Sequence, residues 1–137
     1  MKEGNQLSET KVNMAFGREF RGEMQAKNAT VQVGKEENCL APYEMLLGGL
    51  GACFYSTFVD IADKMRLSFD RAQIALSGVR REEAPRHLVR VTLVFTVFGA
   101  EQSKGFLRAV DLAEKYCSIR YTVAQVADIQ VVTVFSI

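Results

Sequence analysis

The chain has 137 residues with 17 Lys plus Arg against 16 Asp plus Glu, a formal net charge of +1. It reads as one domain over 11–137 behind a flexible arm at 1–10, and a chain of this size takes roughly two-thirds of its unfolded surface out of water, enough for a core without disulfide staples. Balanced charge gives no field that favours nucleic acid or an anionic membrane, and three scattered cysteines with the single His87 lack the close ligand pairs of a structural zinc site.

The opening MKEGNQLSET has no apolar h-region, so a cytoplasmic location is expected. Short β-like segments follow at 11–16, 20–26 and 29–33, broken by Gly17-Arg18-Glu19 and by Lys27-Asn28, and they predict an antiparallel meander. Pro42 then opens a long apolar helix over 42–65, because proline at the first helical position loses no hydrogen bond. Its mostly apolar run, 45–59, falls short of the ~18 residues of a membrane span. Leu46, Leu50, Cys53, Phe54, Phe58, Ile61 and Met65 recur at steps of three and four and share one side. Gly48, Gly49 and Gly51 would each cost about 1 kcal/mol against alanine, so close approach by another helix or backbone is the expected compensation.

Alternation takes over after Leu67. Residues 73–79 and 87–98 predict two strands joined by a charged turn, the second with Val89, Val91, Leu93, Phe95 and Val97 on one face. Residues 103–116 predict an amphipathic helix capped by Ser103, with Phe106, Leu107, Val110, Leu112 and Ala113 inward. A further helical turn or two is expected over 118–126, and a closing strand over 127–137. The order predicts an α+β fold, an antiparallel sheet packed on a long central apolar helix.

Chemistry concentrates on thiols. A cysteine peroxidase needs an accessible thiolate, a means of lowering its pKa, and a second thiol to capture the sulfenic acid. Cys53 and Cys117 supply the sulfurs only if the fold joins them. A carboxylate beside the thiolate would raise its pKa, so an arginine between them is required. Glu44, with Arg18 or Arg21, is the candidate pair. Free cysteine is also a common core residue, and purely structural thiols are the competing reading. Glu44 equally suits the helix dipole, while Cys39 in a polar loop reads as incidental.

The runs PYEMLLGGLGAC (42–53), RREEAPRHLVRVTLVFTV (80–97) and RAVDLAEKYCS (108–118) resemble the OsmC/Ohr family of osmotically induced and organic-hydroperoxide-resistance proteins, and most of all its YhfA-like branch. The resemblance implies an OsmC-like fold assembled as an intertwined homodimer. It further implies a thiol-dependent peroxidase acting on organic hydroperoxides, with Cys53 reactive, Cys117 resolving through a disulfide, and Glu44 and Arg18 assisting. In the hydroperoxide-resistance branch the glutamate directly follows the motif proline; here Tyr43 stands there and Glu44 comes one later. A dithiol such as a protein-bound lipoyl group would reopen the disulfide, and no metal or flavin is implied. The apolar residues Leu46, Leu50, Phe54 and Phe58 suggest bulky apolar peroxides. A redox-sensing or apolar-ligand-binding dimer of the same fold is the alternative.

Overall fold

The computed structural model describes residues 7–101 and 103–137. Six residues of the expected arm, 1–6, lie outside the described residues, and 7–10 are irregular and exposed. Two compact units divide between Met45 and Leu46.

In the first unit β1 (Asn13–Phe16), β2 (Arg21–Gln25) and β3 (Thr30–Gly34) form an antiparallel sheet in chain order, as the alternation predicts. Glu23 stands opposite both Ala15 and Gln32. The β2–β3 turn closes with the Ala26 N–H donating to the Ala29 carbonyl at 2.8 Å. After β3, Asn38 takes the left-handed backbone region, at φ 66°. The sheet is thinly covered: Met14 and Phe16 are 46% and 45% exposed.

Helix α1 (Pro42–Lys64) runs unbroken for 23 residues. It is longer than the apolar run read from sequence, and by length and composition, with a mean hydropathy of 1.5, it could cross a membrane. One stripe of it, Leu50, Phe54, Phe58 and Ala62, packs as core at the helical i, i+4 spacing. Leu46 and Met65, expected on that stripe, are 40% and 37% exposed. They stand near the two ends of the helix, beyond the aromatic packing.

The second sheet has the order β4-β5-β6, from β4 (Arg71–Arg80), β5 (Leu88–Phe98) and β6 (Asp128–Ser136). β4 pairs antiparallel with β5, but β6 pairs parallel with it, from Arg90 opposite Asp128 to Phe98 opposite Ser136. The sheet is therefore mixed where an antiparallel one was expected. A parallel neighbour requires a crossover connection, and α2 (Lys104–Tyr116) with α3 (Ser118–Ala124) provides it. β5 supplies the deepest residues, with Val91, Leu93, Phe95 and Val97 at most 1% exposed. At its start Leu88 is buried in place of Val89, because an irregularity between Val79 and Arg80 shifts the register there.

Phe58 lies at the centre of the core. Its ring meets Phe95 edge-on at 4.7 Å and reaches Phe69 at 5.8 Å and Phe106 at 6.3 Å. Each such ring contributes about 1.5–3 kcal/mol through burial, with a further ~0.5–1.5 kcal/mol from edge-to-face geometry. Ser103 caps α2 as expected, its hydroxyl accepting the Phe106 N–H at 3.2 Å. Leu107, placed inward by the periodicity, is 42% exposed, and Ala109 is buried in its stead.

Candidate active site

The aromatic core sets the rotation of α1. With Phe54 and Phe58 fixed against β5, Cys53 stands about 100° round the helix from Phe54, at the margin of the core and half-buried. Cys117 occupies the corner between the crossover helices. Its N–H donates to the Ala113 carbonyl at 2.9 Å to finish α2, and its sulfur accepts the Arg120 N–H at 3.4 Å to start α3. One residue thus closes two helix ends that otherwise leave backbone groups unpaired. Cys117 is 1% exposed.

The fold brings these two thiols together across 64 positions of sequence. Their sulfurs are near enough for each to perturb the ionisation of the other, and both are free thiols. Their environments differ in sign. Burial alone pushes the Cys53 thiol up, but the Ile119 N–H, the Cys117 thiol, and the hydroxyl and N–H of Ser118 all favour its thiolate and hold it below the ordinary value. Burial pushes Cys117 up; the Arg120 N–H draws it partly back, and the neighbouring Cys53 sulfur pushes it up again. The arrangement thus favours a thiolate on Cys53 and a proton on Cys117. Since the thiolate is the nucleophile, Cys53 is the sulfur suited to attack.

Ser118 and Arg120 border the pair, and Glu114 lies behind Arg120. The Ser118 hydroxyl is 3.8 Å from the Cys53 sulfur. Arg120 turns its guanidinium to Glu114, Nη2 to Oε1 at 3.3 Å, with about a quarter of each side chain exposed. Its Nε is buried without a partner among the described residues. Burial raises the Glu114 carboxyl; Arg120 opposes that rise and Asp111 adds to it. The sequence pattern gives these residues no role, although Ser118 directly follows Cys117 and Arg120 lies three residues after it.

Glu44 and Arg18 belong to the first unit. Glu44 accepts the Ala41 N–H at 2.8 Å, half of the reciprocal capping pattern that begins many helices. Arg18 is exposed in the β1–β2 turn. Arg21, the alternative, pairs with Glu36 at 2.8 Å. Cys39 is partly buried beside Gly34. Of the apolar lining expected from Leu46, Leu50, Phe54 and Phe58, the last three are at most 1% exposed and belong to the core, and Leu46 is 40% exposed. A groove of about 380 Å³ lies elsewhere on α1, between Gly48, Gly51, Ala52 and Tyr55 and the β4 residues Ala72, Ile74 and Leu76.

The OsmC-like protein family model matches residues 34–132. Protein YhfA of Escherichia coli (strain K12) is 34% identical over 114 residues, covering 81% of this chain and 85% of that protein. Among solved structures, the OsmC-like protein of Mycoplasma pneumoniae superposes with a TM-score of 0.86 at 14% identity, over 95% of this chain and 99% of that one. An organic hydroperoxide resistance protein of Legionella pneumophila gives 0.74 at 14% identity, over 95% and 99%. Similarity at those identities carries the fold alone, whereas the family model spans most of the chain, both thiols included. The chain belongs to the OsmC-like family.

Proposed function

We propose that this chain is a thiol-dependent peroxidase that reduces organic hydroperoxides through a two-cysteine cycle, as a cytoplasmic homodimer serving oxidative-stress defence. The observation that carries the reading is the nearness of two thiols of opposite bias, Cys53 toward thiolate and Cys117 toward thiol, with Cys53 3.8 Å from the hydroxyl of the residue that follows Cys117. The hydroperoxide-resistance names among proteins of the same fold support the substrate class.

In this reading the Cys53 thiolate attacks the hydroxyl oxygen of the peroxide. The S–O bond forms as the O–O bond breaks, leaving the sulfenic acid and an alkoxide. Cys117 gives its proton to the alkoxide, releasing the alcohol, and its own thiolate then attacks the Cys53 sulfur. The S–S bond forms, and hydroxide leaves and takes a proton from solvent as water. A dithiol such as a protein-bound lipoyl group returns two electrons and two protons. Glu44 and Arg18, implied by the family resemblance, are the arginine–glutamate pair that would hold the Cys53 thiolate ready.

Reduced protein mixed with cumene hydroperoxide should lose two thiols per alcohol formed, and Cys53→Ser should abolish turnover. Cys117→Ser should halt after one turnover with a sulfenic acid that dimedone traps. An unchanged thiol count, or turnover retained in Cys53→Ser, would overturn the peroxidase. Glu44→Gln and Arg18→Met should each lower kcat/KM at least about tenfold, as loss of positioning groups does; unchanged values would remove them from the site. The apolar groove on α1 favours one other reading, a redox-sensing or ligand-binding dimer. Peroxide oxidation of Cys53 no faster than that of free cysteine would select it.

A further inference from the structure

The Ser118 hydroxyl has no structural task that accounts for its position. Ser118 is the first residue of α3, where a hydroxyl commonly caps the helix. Here the cap is the Cys117 sulfur, which accepts the Arg120 N–H. The hydroxyl makes no hydrogen bond to the α3 backbone among the described residues; its recorded neighbour is the Cys53 sulfur at 3.8 Å. Ser118 is exposed and Cys53 half-buried, so neither group is sealed in the core. A thiolate has no proton to give, so toward an ionised Cys53 the hydroxyl can only donate.

We propose that Ser118 is a catalytic residue of the thiol site, a donor that holds the Cys53 sulfur in line for attack and then turns its hydrogen bond to the sulfenic oxygen. The hydroxyl keeps its proton throughout, so the atom and electron balance of the peroxide step is unchanged. The distance is long for a resting hydrogen bond, and such contacts tighten once charge develops on the acceptor. The groups facing Cys53 from this corner are the N–H groups of Ser118 and Ile119, the Cys117 thiol and the Ser118 hydroxyl. The guanidinium of Arg120 is turned to Glu114. Of these donors the hydroxyl alone can be deleted without touching the backbone or the second thiol.

The proposal rests on the thiol-peroxidase reading for its chemistry, but its first test needs no peroxide. In Cys39→Ser protein, thiolate absorbance and the iodoacetamide alkylation rate of Cys53 are followed against pH for Ser118, Ser118→Ala and Ser118→Thr. Ser118→Ala should raise the Cys53 midpoint by about one to two units, as loss of one donor to a charged group does, and Ser118→Thr should restore it. Second-order oxidation by cumene hydroperoxide should fall about tenfold in the alanine variant and recover in the threonine variant. An unmoved midpoint and rate in Ser118→Ala, or a threonine variant that behaves as alanine with an intact circular dichroism spectrum, overturns the role. Slow peroxide oxidation of the unsubstituted protein would instead overturn the peroxidase, and the alkylation midpoints would still decide for or against Ser118.

Discussion

The Arg120 N–H donates to the Cys117 sulfur at 3.4 Å, so the thiol suited to resolving also caps α3. Redox chemistry and helix capping share one atom. Cys117→Ala leaves that N–H unpaired and should cost about 1–2 kcal/mol. Cys117→Ser keeps an acceptor and should cost less. Urea denaturation of the reduced proteins checks the order, and equal losses in the two variants would separate the cap from the sulfur.

The opposite bias of the two thiols predicts their order of modification. Cys53, held below the ordinary thiol value by donors around α3, should be alkylated first in reduced protein. Cys117, raised by burial, should resist until the fold is opened by denaturant. The midpoint of Cys53 alkylation should rise in Cys117→Ala, which removes one donor from its thiolate. Peptide mapping after a brief iodoacetamide pulse reads both outcomes, and preferential labelling of Cys117 would reverse the assignment of nucleophile and resolving thiol.

Much of this was legible from residue patterns, and the failures have physical causes. Pro42, Ser103 and the Cys117 break placed the helix boundaries because caps and φ restrictions are local. The direction of β6 was not legible: strand alternation is the same in parallel and antiparallel pairs, and only the crossover through α2 and α3 decides it. The two thiols stand out in the sequence, but only the fold brings them near one another. Ser118 ends the second cysteine motif and Arg120 lies two residues beyond it, and neither shows a role in the sequence, since spacing cannot show that the turn after Cys117 faces α1. Glu44 was noticed for its charge, and its carboxylate is engaged with the Ala41 N–H, a pairing its place in the first turn allowed.

The Glu114–Arg120 pair should leave a signature in the pH dependence of stability. Burial raises the Glu114 carboxyl above its ordinary 4.5, so the native state keeps this proton to higher pH than the unfolded chain does. Between those two values the native state binds more protons, and this group's contribution to stability falls as pH rises. The difference in unfolding free energy between the unsubstituted protein and Glu114→Gln should therefore decline as pH increases from about 4.5. Arg120→Met, which removes the opposing cation, should extend the decline to higher pH. A flat difference across that range would show that burial of Glu114 is relieved in solution.

The glycines of α1 divide by what surrounds them, and the division tests the dimer. A Cβ on Gly51 would meet Leu76 Cδ1 at 2.8 Å, while a Cβ on Gly48 meets nothing within 4 Å. Packing within the chain thus accounts for Gly51 and leaves Gly48 unexplained, although a glycine inside a helix costs about 1 kcal/mol against alanine. In an isolated chain Gly48→Ala should therefore stabilise by about that amount. If two copies approach through α1, as the homodimer reading requires, the added methyl instead meets the partner and the gain disappears. We expect Gly48→Ala to lower Tm, and Gly48→Leu to shift the protein to monomer by light scattering with its helix content retained. A stabilised alanine variant, together with a leucine variant of unchanged mass, would remove this face of α1 from the subunit interface and leave the glycine without a packing role.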